Sequence, residues 1–307
     1  MPTRPFQQVD VFSATPYLGN PLAVVLDGTG LSTEDMQHFA QWTHLSETTF
    51  LLPPSPEGAA AGADYRVRIF TPAYELPFAG HPTLGSCHAW LQGGGQPQAP
   101  ALIVQECAKG LIKIRRDGTR LAFAAPALER STPEPALLEQ VRQALGLQPQ
   151  QIQAAQLLNN GPVWLSLLLD HVDTVHNLSP NHQALKALGY LVGVCAIAPD
   201  GNASPLITRS NREARAFAQH RVVSVAPTLE VRALTAVVGV DEDPVTGSLN
   251  ASLAQWLMAE GLMPESYIAA QGACVQRAGQ VYVQRDGAGQ VWVGGDSVTC
   301  IDGTVQL

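Results

Sequence analysis

Glu75-Leu-Pro-Phe-Ala-Gly80-His81 and Glu242-Asp-Pro-Val-Thr-Gly247-Ser248 share the spacing Glu-x-Pro-x-x-Gly, the second 167 residues after the first. Each runs into a stretch whose apolar residues recur at helical spacing, so each reads as a turn that opens a helix. Glu, Pro and Gly are common at turns, and three matched residues are compatible with coincidence. They are also what an internal duplication leaves behind. Under duplication the chain builds two similar domains whose helix mouths are available to face each other. A length of 307 residues exceeds the usual single-domain range, which independently favours two domains of roughly 150 residues.

Working outward from the first motif, 22–26 reads as a buried strand after the turn Gly19-Asn20-Pro21. Ser32-Thr-Glu-Asp35 opens an amphipathic helix through about His44 in the manner of a capping box. A strand at 48–52, ended by Pro53-Pro54, leaves Glu47 at a helix-to-strand junction. The stretch 65–70 alternates polar and apolar residues, as a half-buried strand does. The helix after Gly80, with Pro82 at its first position, runs to Gly93-Gly-Gly95, and short strands follow at 102–104, 111–114 and 121–124.

Pro126, Pro133 and Pro135 make 125–135 the best linker, because proline excludes both continuous helix and central strand. The expected division is an N-terminal domain over 1–126 and a C-terminal domain over 127–295, with the last strand, near 296–307, able to return to the first. Beyond the linker the pattern predicts a helix over 136–145 stopped by Gly146, a strand at 163–169, and a helix capped by Ser179 with Pro180 at its first position. An apolar run at 191–198, strands at 222–225, 281–284 and 291–294, and a helix over 248–260 complete the reading.

Hydrophobic residues make up 46% of the chain and charged residues 14%, which excludes a disordered polymer and requires well-buried layers. A formal net charge of -8, with 18 scattered Lys and Arg, argues against a nucleic-acid partner. Five cysteines form no Cys-x-x-Cys pair and no even set, so neither a disulfide framework nor a zinc site is expected. No apolar run approaches the roughly 18 residues of a membrane helix, and the N-terminus lacks the apolar core of a signal peptide. The expected setting is the cytoplasm, away from membranes. No Gly-x-Gly-x-x-Gly lies between a strand and a helix, which disfavours a nicotinamide-dependent oxidoreductase.

The chemistry is expected at the two mouths. A helix N-terminus presents free N–H groups and partial positive charge, and glycine lets a ligand come close, so Gly80-His81 and Gly247-Ser248 can hold a small carboxylate. The same residues also serve as ordinary helix starts. Asp243 reads equally as turn acidity or as a site carboxylate. Glu47 has apolar neighbours on both sides: facing solvent it is unremarkable as a junction residue, but inside a cleft desolvation would raise its pKa into the range of a general acid and base.

Val9-Asp-Val-Phe12, Gly19-Asn-Pro-Leu-Ala-Val-Val25, Leu45-Ser-Glu-Thr48, Phe78-Ala-Gly-His-Pro-Thr-Leu-Gly85 and Glu242-Asp-Pro-Val-Thr-Gly-Ser248 occur in the order seen in the phenazine-biosynthesis PhzF-like family, which the chain resembles over nearly its whole length. The resemblance implies an α+β, diaminopimelate-epimerase-like fold. In that fold two similar domains each wrap a β-barrel-like sheet around a central helix, with the active site between them. It implies a homodimer, and a cofactor-independent isomerase, with no metal, acting on a small carboxylate. Glu47 then resembles the family's proton shuttle, with His81, Asp243 and Ser248 assisting, and with Asn20, Gly80 and Gly247 lining the substrate pocket. Alternatives are an epimerase or racemase of another small acid and a non-catalytic binding protein of the same fold. The paired thiols of the superfamily's two-base racemases have no counterpart at either mouth, since Cys87 lies at least a turn inside its helix.

Overall fold

In the computed structural model, which describes residues 2–198 and 226–307, one order of elements is used twice. The strand expected at 222–225 lies outside the described residues. The first half runs β1 (Thr3–Val11), β2 (Asn20–Val25), α1 (Thr33–Thr43), β3 (Thr48–Leu52), α2 (Pro56–Ala60), β4 (Tyr65–Phe70), β5 (Glu75–Leu76), α3 (Gly80–Gln92), β6 (Leu102–Cys107), β7 (Gly110–Asp117) and β8 (Arg120–Ala124). After β9 (Glu129–Ser131) and α4 (Pro135–Leu145), the second half runs β10 (Ile152–Asn159), β11 (Val163–Leu169), α5 (Val172–Asn177), α6 (His182–Leu188), β12 (Leu191–Ile197), β13 (Leu229–Leu234), β14 (Glu242–Asp243), α7 (Gly247–Ala259), β15 (Ser266–Gln271), β16 (Gly279–Arg285) and β17 (Val291–Gly295). The last strand is β18 (Ser297–Gln306).

The pairings repeat with the order. β1–β2 is antiparallel, β2–β3 parallel, β3–β4 and β4–β5 antiparallel, β4–β6 parallel, and β6–β7–β8 antiparallel. β10–β11, β11–β12, β12–β13, β13–β14, β13–β15 and β15–β16–β17 follow the same sequence of senses. Each half also sends its next strand across, with β9 pairing with β10 and β18 pairing with β1. β8 and β17 pair with each other, so the halves share a continuous hydrogen-bonded surface. The short prolines-flanked strand β9 sits inside the stretch 125–135, where only an edge position is open to it.

Register makes the halves comparable residue by residue. Phe70 pairs with Thr48 and Glu75, and Leu234 pairs with Val192 and Glu242. Glu75 therefore corresponds to Glu242, Leu76 to Asp243, Arg68 to Arg232, and Glu47 to Leu191.

α3 packs against β1, β2, β3 and β8, and α7 against β10, β16 and β17. Both are buried nearly all round, which explains their small residues and lack of a charged face. Gly85 has to be glycine at this packing distance: a Cβ there would stand 2.6 Å from Leu22 Cδ2 and 2.8 Å from Val11 Cγ2. Outside the wrapped strands, Phe39 of α1 packs on Phe50 and Phe70, and Val141, Leu145, Val175 and Leu185 pack on Leu165, Leu167 and Val192.

α1 begins with the expected capping box, Ser32 Oγ accepting from Asp35 N at 3.1 Å and the Asp35 carboxylate from Ser32 N at 3.4 Å. Two helix starts differ from expectation. α3 begins at Gly80, so Pro82 is its third residue, a position tolerated because the N–H groups of a first turn have no partner within the helix. Asn181, not Ser179, caps α6, its side chain accepting from Ala184 N at 3.0 Å, while Ser179 and Pro180 lie in the preceding connection. The short helix α5 was not expected. Among the described residues no helix is long and apolar enough to cross a membrane.

Candidate active site

Glu47 is placed by the end of α1. His44 takes a left-handed conformation (φ 56°) that turns the chain out of the helix, and Thr43 Oγ1 and Thr48 Oγ1, 2.8 Å apart, close the turn around Leu45-Ser46-Glu47. Asp243 enters from the other half at the end of β14, immediately before α7. Asn20 joins the two halves here: its Nδ2 donates to Asp243 Oδ1 and to the Val245 carbonyl, both at 2.9 Å, and lies 3.4 Å from His81 Nδ1. Ser46 Oγ donates to Asn20 Oδ1 at 3.4 Å.

Asp243 is held from its own half as well. Thr246 Oγ1 donates to Asp243 Oδ2 at 2.5 Å, and Gln271 Nε2 donates to the Asp243 carbonyl and to Thr246 Oγ1, both at 3.0 Å. Thr246 occupies the N-cap position of α7 but does not cap it, and the N-cap of α3 is Ala79. Both mouths thus lack a side-chain cap, unlike those of α1 and α6, which leaves their first-turn N–H groups for another acceptor. Ser248 is oriented by Trp164 Nε1, which donates to its Oγ at 3.2 Å, and by Asn160 Nδ2, which donates to its carbonyl at 2.9 Å.

These groups surround a cavity of about 480 Å³, within the size range of small-molecule sites. Glu47, Asp243, Ser248, Ser46 and Thr246 reach it, beside apolar walls that include Phe78, Trp164, Leu76 and Leu191. His81, 3% exposed, stands behind Glu47. Asn20 is fully buried, and Gly80 and Gly247 pack against each other where the two helices begin; these three are not among the residues that line the cavity.

Burial sets the protonation states. Desolvation, then the neighbouring Asp243 charge, raises Glu47 to about 8 against the opposing hydrogen bond from Ser46. Asp243 is raised to about 6, mainly by desolvation, with Thr246 and Asn20 holding it lower than burial alone would. Desolvation lowers His81 to about 3, with the Pro21 carbonyl opposing. Glu47 Oε2 and His81 Nδ1 are 3.6 Å apart, close enough for an ion pair, yet both groups are mainly neutral near pH 7. Glu47 Oε2 has no hydrogen-bond partner among the described residues. The site therefore holds a mostly protonated carboxyl with its Oε2 unpartnered among the described residues beside a hydrogen-bonded, mostly ionised one, a difference in environment that separates acid from base roles.

Thr246, Asn160, Trp164 and Gln271 were not singled out as site residues on sequence grounds. Thr246 sits within a motif already quoted, whereas Gln271 lies outside every one of them. Asn160 and Trp164 carry only a turn signal, Asn159-Asn160-Gly161-Pro162, that points to no chemistry. Among the described residues there is no group of three or more His, Cys, Asp or Glu side chains arranged to hold a metal ion.

A family profile described as phenazine biosynthesis-like protein, PhzC-PhzF, matches residues 9–303. Antisense-enhancing sequence 1 of Schizosaccharomyces pombe is 33% identical over 320 residues, covering 99% of each chain. The trans-2,3-dihydro-3-hydroxyanthranilate isomerase of Pseudomonas aeruginosa is 30% identical over 312 residues, covering 97% of this chain and 98% of its own. The crystal structure of a Bacillus anthracis phenazine biosynthesis protein of the PhzF family matches with a TM-score of 0.79 over 100% of both chains at 21% identity, a likeness of fold.

Proposed function

The chain belongs to the phenazine biosynthesis-like protein family and is an isomerase, and from that premise we propose that it moves a proton between two carbons of a small carboxylic acid, with Glu47 as the proton carrier. The observation that carries this reading is the placement of the two carboxyls. Glu47 comes from the first half and Asp243 from the second, while the equivalent positions, Leu191 and Leu76, are apolar and also line the cavity. A two-base racemase needs a base on each face of the reacting carbon. Here each pair of equivalent positions carries one carboxyl and one leucine, Glu47 with Leu191 and Asp243 with Leu76, so neither carboxyl has a counterpart of its own kind in the other half, which favours removal and return of the proton on one face.

Ionised Glu47 takes the proton from a carbon of the bound acid, and the uncapped mouths of α3 and α7, with Ser248, stabilise the anion that forms. Glu47, now neutral in its apolar surroundings, returns the proton to a second carbon. Asp243 stays ionised through its bonds from Asn20 and Thr246 and keeps Glu47 basic enough for the first step. Lys109, at the turn between β6 and β7, is the one Lys or Arg among the described residues lining the cavity, and its positive charge favours an acidic substrate despite two carboxyls nearby.

The trans-2,3-dihydro-3-hydroxyanthranilate named for the Pseudomonas relative is the first compound to assay, followed by small cyclic and acyclic acids screened by NMR for deuterium uptake at carbon in heavy water. The reading requires exchange by the wild-type protein that Glu47→Gln abolishes. Equal exchange by the two proteins would contradict it.

A further inference from the structure

Arg232 and Glu242 form a buried fork beside Asp243. Arg232 Nε donates to Glu242 Oε1 at 3.1 Å and Nη2 to Oε2 at 2.7 Å, with both side chains 5% exposed. The remaining arm, Nη1, donates to the carbonyls of Val175 and Leu178, each at 3.0 Å, which ties β13 and β14 to the end of α5. At the equivalent place in the first half, Arg68 Nε donates to Glu75 Oε1 at 2.7 Å and Nη2 to Oε2 at 2.6 Å. Both forks thus pin the Glu of a Glu-x-Pro-x-x-Gly motif. The residue that follows is Asp243 in one half and Leu76 in the other.

We infer that the Arg232–Glu242 fork is the positioning device for Asp243, and that Arg68–Glu75, which holds an apolar residue, is its duplicate without a catalytic task. An Arg–carboxylate fork fixes direction as well as distance, because two parallel bonds resist rotation about the strand. Asp243 has to meet Asn20 from the other half and Thr246 from its own, so a small rotation of β14 breaks bonds on both sides. The Arg232–Glu242 fork is the more deeply buried of the two, since Arg68 and Glu75 are 24% and 33% exposed in their side chains. Charged and titratable groups around Asp243 are Glu47 and His81 from the first half and Glu242 and Arg232 from the second. Beyond the fork lie His176, whose Nε2 is 2.9 Å from Glu230 Oε1, and Cys274.

The inference rests on Asp243 being a working site residue, yet its test needs no turnover. The Asp243 carboxyl is followed by carbon-detected NMR titration in Glu242→Gln and Glu75→Gln, substitutions that keep size and one acceptor oxygen. Breaking the fork frees β14 and weakens the Asn20 and Thr246 bonds that hold Asp243 down. Glu242→Gln is therefore expected to raise the Asp243 midpoint by about half a pH unit or more, against the smaller opposite effect of removing the Glu242 charge, and Glu75→Gln to leave it in place. Backbone exchange at 243–246 is expected to accelerate about tenfold or more in Arg232→Met, with Arg68→Met unchanged there. If Arg232→Met fails to fold, Arg232→Lys, which keeps the charge but loses the fork, decides the second measurement. Equal effects from the two halves, or none from Glu242 and Arg232, would overturn the inference. Failure of the proton-transfer reading would instead show as normal titrations with no exchange of substrate carbon.

Discussion

Gly80 and Gly247 touch where α3 and α7 begin: a Cβ built on either would stand 2.9 Å from the other's Cα, and one on Gly80 would also stand 2.9 Å from Phe123 Cζ. The two mouths can converge only because neither residue has a side chain. Alanine at either position should separate the helices and cost about 1–3 kcal/mol, the range for overpacking, measured as a fall in the urea midpoint at constant slope. Exchange or turnover should fall further than stability does, since the anion site depends on the spacing of the mouths.

Glu47 should make the wild-type protein less stable at high pH. Its carboxyl is protonated in the folded state up to about 8, whereas an unfolded glutamate ionises near its model value of 4.5. Between these values the unfolded chain binds fewer protons, so stability falls as pH rises through that window, by up to roughly 1.4 kcal/mol per pH unit. Glu47→Gln removes the ionisation. Its melting temperature should exceed that of wild type by more at pH 9 than at pH 5, as read from parallel thermal scans.

Proton abstraction needs ionised Glu47, so kcat/KM for an accepted substrate should rise with pH and level off above about 8. Asp243→Asn removes the like charge that contributes to this value, and the rising limb should move to lower pH. Desolvation, the larger cause, remains, so the limb should not return to the range of an exposed glutamate. An unmoved limb would separate the two carboxyls functionally.

Asn20 Nδ2 has three partners at the junction, and the residue has no exposure to water. Asn20→Ala leaves Asp243 short of a donor to its ionised form, so Asp243 should titrate at higher pH than in wild type. Unpaired buried acceptors at Asp243 and the Val245 carbonyl should also cost about 1–3 kcal/mol in a denaturant melt. Thr246→Val, which removes the hydroxyl and keeps the shape, should shift Asp243 in the same direction with a smaller loss of stability.

The repeated Glu-x-Pro-x-x-Gly made the two mouths legible because glycine and proline act locally, through backbone geometry that sequence spacing records. The role of its leading glutamate was hidden, since Glu242 is defined by Arg232 on the neighbouring strand and nothing in their spacing marks the pair. Glu47 was ambiguous for the same reason: burial is a property of what surrounds it, and the opposite half supplies Asp243 and Asn20's second contact. Trp164 and Asn160 lay beyond reach because both act through Ser248, 88 residues or fewer away but on another element. At the start of α6, Ser179-Pro180 mimicked a cap, and only the geometry of Asn181 distinguishes the true one.

The claim that one carboxyl carries the proton both ways is tested most directly by single-turnover label transfer. A substrate deuterated at the carbon that loses its hydrogen is converted in ordinary water, and the product is analysed by NMR for deuterium at the carbon that gains one. Glu47 is enclosed and 16% exposed in its side chain, so part of the label should survive to the second carbon, and Glu47→Gln should lose at least about 100-fold in rate. Complete washout of the label together with near-wild-type turnover by Glu47→Gln would contradict the account.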